Sequence, residues 1–519
     1  ALAPRFFRGF ELDLVVISRP GRTPAESSVL VGSRPYFERL YTRTRVEAET
    51  ARERNARLFG PDSLLSWLSP RAAEAGSTEV LVDHGLVSQA VGNGADLFFR
   101  GTFGGNGRTC ATCHRAENNL GLDLEFISTL PADDKLFIAE QPPEAGGVPG
   151  LERPALMRGH AQILMNVDGF ENPTSKFVMR GVPHALSLAT SIGEPQSTGW
   201  GGDVGTLRQL AAAAVKQHFT RRLNRVEGTD FVPPTDAELD DLEAFMLSTG
   251  RLNNLDNLFN VTFSNPAVQT GKLRFFTAGC GGCHFNAGAT FGNFNPNFRH
   301  GVERAADPSQ ATEPHPHDGG FGTAANPNFD CDGNGTPDCF GIGTFNLPPL
   351  IEAADTEPFF HNNSAGTLEQ AVTHYTTEAF RQAEGIALPL TQQDILDVAA
   401  FLRVLNAAFN SAISIQRNNA ALTLEKTNGG GTRETVNMLL ALSSSEAMDA
   451  VEVLSARKLY APSVTLLKNA IAKNGGAMAA RSPKARQALI QQALNNLKAA
   501  KAKLGKGLDF TLGEGNLLF

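Results

Sequence analysis

The sequence predicts a mainly α protein: two tandem copies of one helical domain with long loops, an N-terminal extension before them and a helical module after them. Three observations predict it. Two C-x-x-C-H elements, Cys110-Ala-Thr-Cys113-His114 and Cys280-Gly-Gly-Cys283-His284, occur in the two halves of the chain. The stretch Thr235 to Phe245 parallels Thr391 to Phe401, each opening with a Thr-x-x-acid capping box (Thr235/Glu238, Thr391/Asp394) and continuing with helical apolar spacing. Upstream, Gly205-Thr206-Leu207-Arg208-Gln209 parallels Gly366-Thr367-Leu368-Glu369-Gln370, and Val182-Pro183-His184-Ala185-Leu186 roughly parallels Leu347-Pro348-Pro349-Leu350. One match is chance; three in the same order as the two cysteine elements indicate a duplication.

The elements follow in order. Residues 1–84 form the extension, with a charged helical stretch from Phe37 to Leu58. Residues 85–250 are the first copy and 251–408 the second, which carries a Gly/Asn/Pro-rich excursion from Asn286 to Thr344, too long for a plain connector. Residues 409–519 are the helical module. In it Ser443-Ser-Ser-Glu446 reads as a capping box, and Ser482-Pro483 starts a helix with Ile490, Ala493, Leu494, Leu497 and Leu504 on one face before Gly505. The module reads either as helices packed on the two copies or as an arm that docks a partner.

Composition narrows the class. A chain of 519 residues, 41% apolar and 19% charged, buries sizeable cores and is globular rather than disordered. Its net charge of −8 lacks the basic excess of a nucleic-acid binder, so no nucleic acid is expected as a partner. No run of 18 consecutive apolar residues occurs, so no transmembrane segment is expected. There is no charged-then-apolar leader at Ala1, which leaves a cytosolic chain or an exported one whose signal has been removed.

The cysteines decide between these. C-x-x-C-H is the attachment signature of c-type haem: two thiols add across the haem vinyl groups and the adjacent histidine becomes the proximal iron ligand. Zinc needs four ligands per site, and a thioredoxin-like motif needs a βαβ context; neither explains a histidine after both pairs. Two covalently attached haems c are expected, at Cys110, Cys113 and His114 and at Cys280, Cys283 and His284. In bacteria such haems are attached outside the cytoplasmic membrane, so a periplasmic or otherwise exported protein is expected. The repeated capping-box helix is then the one that closes a cytochrome c-like fold by crossing the helix before the haem motif.

The other two cysteines flank a second motif, Asp330-Cys331-Asp332-Gly333-Asn334-Gly335-Thr336-Pro337-Asp338-Cys339. It matches the first nine positions of a calcium loop, with Asp330, Asp332, Asn334 and Asp338 supplying side-chain oxygens and Thr336 its carbonyl. Position 12 is Gly341 rather than glutamate, so this is not a full EF-hand; a structural calcium ion is expected, the alternative being a solvated, turn-rich loop. A Cys331–Cys339 disulfide suits an oxidising compartment.

The two copies differ opposite their histidines. Aligned on Gly-Thr-Leu, His374 and Tyr375 stand where the first copy has Ala213 and Ala214. The second iron is therefore expected to be closed by a sixth ligand, Tyr375 in preference to His374, and the first to be open or weakly capped. His218, one turn beyond Ala214, is a candidate distal acid–base group with Gln217 beside it, or else a structural histidine. His160, Met165 and His184 are further candidates to cap the first iron. Trp200, one of two tryptophans, aligns with His361 and lies in a Gly-rich turn before the Ala214 helix. It reads as a relay between the irons or as a residue filling the interface.

These motifs together, with Glu357-Pro-Phe-Phe-His361-Asn-Asn-Ser-Ala-Gly-Thr-Leu-Glu-Gln-Ala-Val372, resemble the bacterial di-haem cytochrome c peroxidase and MauG superfamily, and more distantly the di-haem rubber oxygenases. The resemblance covers roughly 85–408. It implies a peroxidase-like enzyme that reacts with hydrogen peroxide or dioxygen at the His114 haem and exchanges electrons through the His284 haem with a redox partner protein or small electron carrier. It places Tyr375 at the methionine that closes the second haem in the peroxidases and at the tyrosine of MauG-like members, Trp200 at the inter-haem tryptophan, and His361 at the Pro-Tyr/Phe-Phe-His histidine near the second haem. Two departures stand out. The family's distal glutamate has no acidic counterpart in Val215-Lys-Gln-His-Phe-Thr220, and its interdomain calcium asparagine is replaced by Gly181. Alternatives are an oxygenase cleaving an apolar substrate and a non-enzymatic electron carrier.

Overall fold

The computed structural model describes residues 13–17, 28–32 and 73–519, apart from 193–197, 203, 254, 256, 290–296, 305–306, 323–329, 332–338, 386–387 and 428–431. The chain divides into two units, Ala1–Ser69 and Pro70–Phe519. In the first, β1 (Asp13–Ile17) pairs antiparallel with β2 (Ser28–Gly32); the expected helix from Phe37 to Leu58 lies outside the described residues.

The second unit is mainly helical, as expected. After α1 (Ala75–Asp83), at the end of the extension, its first copy runs through α2 (Gln89–Arg100), the first cysteine element, α3 (Leu124–Thr129), α4 (Pro154–His160), α5 (Leu207–His218) and α6 (Asp236–Leu247). The second runs through α7 (Pro266–Thr277), α8 (Cys280–Cys283), α9 (Leu368–His374), α10 (Glu378–Glu384) and α11 (Gln392–Thr427). Then come α12 (Thr432–Ser455), α13 (Ala461–Ala479) and α14 (Pro483–Leu504). Two small sheets fill the loops: β3 (Gln162–Met165) antiparallel to β4 (Val178–Gly181), and β5 (His317–Gly320) parallel to β6 (Cys339–Thr344).

The duplication is visible in the backbone. In each copy the helix before the cysteine element crosses the capping-box helix at a glycine. A Cβ on Gly94 would stand 1.9 Å from the Asp241 carbonyl oxygen, and one on Gly271 stands 1.9 Å from that of Asp397, the equivalent residue of the repeat. Only glycine permits this approach. Four residues on, Phe98 meets Phe245 at 5.2 Å between ring centroids, and Phe275 meets Phe401 at 5.5 Å. The underlying pattern, Gly94-x-x-x-Phe98-Phe99 and Gly271-x-x-x-Phe275-Phe276, is a further repeat that sequence reading passed over. The capping boxes form: Thr235 and Glu238 exchange both hydrogen bonds, as do Thr391 and Asp394, and Thr206 and Gln209.

Two expectations are corrected. The boundary drawn at residue 408 falls inside α11, which runs unbroken to Thr427 because its buried positions continue to Glu425. This helix is long and apolar enough to cross a membrane, although Asn406 and Asn410 interrupt its apolar run; 94% of its apolar window is buried within the protein, where it packs against α7, α12 and α14. Ser443 to Glu446 is not a helix start but the middle of α12. Ser443 and Ser414 of α11 each donate to the other's carbonyl at 3.0 Å, and Ser444 donates to the Leu440 carbonyl. Small hydroxyl residues there let two helices approach closely.

α14 begins at Ser482-Pro483 and buries Ile490, Ala493, Leu494, Leu497 and Leu504. The C-terminal helices join both copies: one core unites α7 and α11 with residues of α12, α13 and α14, and another unites α1, α2 and α6 with α11, α12 and Leu517 to Phe519. A buried ion pair bridges the copies as well: Arg180 reaches both Asp318 oxygens at 2.6 and 2.9 Å. Within the second copy, Arg251 pairs with Glu352 at 2.6 Å.

Candidate functional site

Each cysteine element presents two unbridged thiols and one anchored imidazole. Cys110, Cys113, Cys280 and Cys283 are free, whereas Cys331 and Cys339 form a disulfide. Desolvation pushes the Cys110 thiol up to about 12 and those of Cys113 and Cys280 up to about 11. Thiols held protonated in this way are poor thiolate donors, which argues against a redox dithiol. His114 Nδ1 lies 3.0 Å from the Leu120 carbonyl and His284 Nδ1 lies 3.3 Å from that of Gly288. The carbonyls of Pro183 and Pro348, equivalent in the repeat, act on the same two imidazoles. An Nδ1–H tied to backbone fixes the tautomer and leaves Nε2 as the ligand atom. Desolvation lowers both histidines, His284 to about 4, so both are neutral imidazoles.

Facing His114 is a buried polar chain. His218, at the end of α5, lies within electrostatic reach of His114. Its Nδ1 stands 3.7 Å from Glu152 Oε1, and the same oxygen accepts from Arg108 Nη1 at 2.7 Å. Arg108 also donates to the carbonyls of Lys135 and Leu136, and Glu152 Oε2 accepts from the Leu164 amide at 2.7 Å. Burial would raise the Glu152 carboxyl, but Arg108 and His218 together hold it below the usual range. Glu152 is thus an acid beside the first site that sequence reading missed, because it lies on the loop before α4 rather than on α5. Gln217 is committed elsewhere: it exchanges two 3.1 Å hydrogen bonds with Asn166. Of the other capping candidates, His160 bonds Thr312 Oγ1 at 2.7 Å, Met165 packs in the apolar cluster that touches Cys113, and His184 lies within electrostatic reach of His114 with Nδ1 accepting from the Leu186 amide.

The second site is an aromatic cage. α9 ends at His374, and Tyr375 is its C-cap, whereas α5 continues past its alanines to His218. Burial, with Cys280 and Cys283 adding to it, pushes the Tyr375 phenol well above its ordinary value, so both thiols lie within electrostatic reach of it. His374 turns away: its Nε2 bonds the His300 carbonyl at 2.8 Å and its ring meets Phe360 edge-on at 5.0 Å. His300 itself is 9% exposed, and neither ring nitrogen has a hydrogen bond. It, too, was missed, since no spacing rule marks a histidine sixteen positions past the motif.

Between the sites lies Trp200. Its indole Nε1 donates to the Gly181 carbonyl at 2.8 Å, two residues before Pro183. Its own carbonyl accepts from the Asn346 amide at 2.9 Å, two residues before Pro348. Trp200 therefore bridges the two backbone turns whose prolines touch His114 and His284. The Gly181 amide donates to the His361 carbonyl at 2.6 Å, and the His361 ring stacks on Phe345 at 4.2 Å. Desolvation lowers His361 to about 4. The space that a side chain at 181 would need is filled by the Asn363 amide, which donates to the carbonyls of His160 and Ala161.

Of the expected calcium ligands, Asp330 is among the described residues, and Asp332, Asn334, Thr336 and Asp338 lie outside them. Among the described residues no group of three or more His, Cys, Asp or Glu side chains is arranged around a common metal position. The chain matches no known protein-family model and no curated protein.

Proposed function

We propose that the protein is an exported di-haem c-type oxidoreductase of the cytochrome c peroxidase and MauG kind, reacting with peroxide or dioxygen at the His114 centre and exchanging electrons through the His284 centre. The observation that carries this is the donor set, present twice in one repeated frame: two protonated, unbridged thiols followed by a neutral imidazole with Nδ1 tied to backbone. That set fits covalent haem on each motif, with Cys110 and Cys113 or Cys280 and Cys283 as thioether attachments and His114 or His284 Nε2 as iron ligand.

Haem held on these two motifs would supply one-electron chemistry and a place for peroxide or dioxygen to bind. The chain's own residues do the rest. At the first centre His218 is the proton carrier: Glu152, held ionised by Arg108, stands behind Nδ1 and stabilises the imidazolium, so Nε2 takes a proton and returns it. A carboxylate backed by a buried guanidinium thus does through His218 what the family's distal glutamate does directly. At the second centre Tyr375 closes the site from among the thiols, and the apolar cage excludes water. A phenolate is a hard donor that favours oxidised iron and lowers its potential, which supports storage of oxidising equivalents over a high-potential input. Trp200 couples the centres through its paired backbone bonds.

Intact mass and the pyridine haemochromogen spectrum of the exported protein test this. Two covalent haems per chain are expected, and EPR should show a high-spin ferric component beside a low-spin one. A protein exported through a haem-attaching host with no covalent haem would sink the reading, and two identical low-spin centres would remove the asymmetry.

A further inference from the structure

His300 is held in place with neither ring nitrogen hydrogen-bonded. Its imidazole lies between Phe298, stacked at 5.4 Å and 14°, and Phe380, stacked at 6.1 Å and 20°, and meets Tyr375 edge-on at 6.3 Å. The loop carrying it is clamped: Gly301 has φ +67°, and a Cβ there would stand 2.3 Å from the Ala379 carbonyl oxygen in α10. On the other side His374 Nε2 grips the His300 carbonyl. Glu384 Oε1 comes within 3.3 Å of Nδ1 without forming a hydrogen bond. A buried polar group left unpaired is costly, so a fold that fixes one this firmly calls for an explanation.

What His300 faces supplies one. It lies within electrostatic reach of His284, the proximal histidine of the second element, and beside the phenol that reaches Cys280 and Cys283. We propose that His300 is a second side chain able to ligate the iron of the His284 centre, competing with Tyr375 for the position opposite His284. The proposal rests on the haem reading above. Tyr375 must lose a proton before it binds iron as phenolate; His300 need not. One centre with a hard anionic ligand and a neutral imidazole in the same cage can hold either coordination.

The test uses the haem-loaded protein and reads spectra rather than turnover. In Tyr375→Phe, EPR and near-infrared magnetic circular dichroism should show the second centre still six-coordinate and low-spin, with the charge-transfer band of bis-imidazole iron. The double variant Tyr375→Phe/His300→Ala should turn high-spin, and added imidazole should restore the low-spin signal. His374→Ala should leave the ligand set of wild type or of Tyr375→Phe unchanged. If Tyr375→Phe alone turns high-spin, or the double variant stays low-spin, His300 is not a ligand and the proposal fails. A wild-type centre that is already bis-imidazole and loses that signature in His300→Ala would support the proposal while removing Tyr375 as the resting ligand. Wild type with no haem on Cys280 and Cys283 would overturn the haem reading and the proposal together, and only that result does both. Should the double variant fail to load haem, the single Tyr375→Phe spectrum still decides.

Discussion

Around His114 polar side chains gather: Arg108 pairs with Glu152, His218 Nδ1 stands 3.7 Å from the same carboxylate without a hydrogen bond, and Gln217 pairs with Asn166. Around His284 they do not; His300 has neither nitrogen bonded, and its neighbours are aromatic rings. Yet both copies close over the same glycine crossing and both anchor their histidine through Nδ1 to a backbone carbonyl. The two copies thus share the helix crossing and the anchored imidazole and differ in the side chains around it. The first is lined by a buried ion pair and paired amides, the second mainly by aromatic rings.

The comparison breaks most easily at its shared frame. Gly94→Ala and Gly271→Ala each drive a methyl into a helix carbonyl, and each should destabilise the fold by more than about 4 kcal/mol. Thermal unfolding or soluble yield should show the two equally affected. Gly159→Ala in α4, where nothing lies within 4 Å of the added carbon, is the control and should be neutral or mildly stabilising. Tolerance at one crossing only would mean that the copies do not share the device.

The difference between the copies is sharpened by Glu152→Gln. It leaves the fully buried Arg108 without its counter-charge and should cost about 3 kcal/mol, measured by denaturant unfolding. The same variant should perturb the His114 centre's spectrum and leave that of the His284 centre unchanged. Equal perturbation of both would show that the polar chain does not belong to one copy.

The bridge between the copies is probed by Trp200→Phe. The lost indole hydrogen bond to Gly181 should cost about 1 kcal/mol, while electron equilibration between the centres slows with both haems retained. Unchanged kinetics in stopped-flow reduction would make Trp200 a packing residue.

A further effect is one of pH. Asp355 joins the copies: its carbonyl accepts from Asn119 of the first, and its Oδ2 from Asn406 and Asn410 of α11. Desolvation outweighs those amide bonds and pushes its carboxyl up to about 7. The folded state therefore keeps a proton that the unfolded chain loses near its ordinary value of about 3.9. Stability should fall as pH rises from about 4 to about 7 and level off above. Asp355→Asn should flatten part of that slope in unfolding measured between those limits, and a slope unchanged by the substitution would remove Asp355 as its source.

The cysteine elements, the capping boxes at Thr235 and Thr391 and the buried face of α14 were legible in the sequence because each is set by residues a few positions apart. Hydrogen bonds to the first turn and periodic apolar spacing are local physics, so one strand of text carries them. Tertiary structure decided the rest. Ser443 looks like a cap until Ser414 of a neighbouring helix is seen to bond it, and the 408 boundary looks natural until α11 is seen to run on with most of its residues buried to Glu425. Glu152, His300 and the crossing glycines have partners, or lack them, through residues distant in the chain. A histidine's spacing fixes where it can sit, but whether its nitrogens are satisfied depends on which groups the fold brings to it, and that decides what it is free to bind.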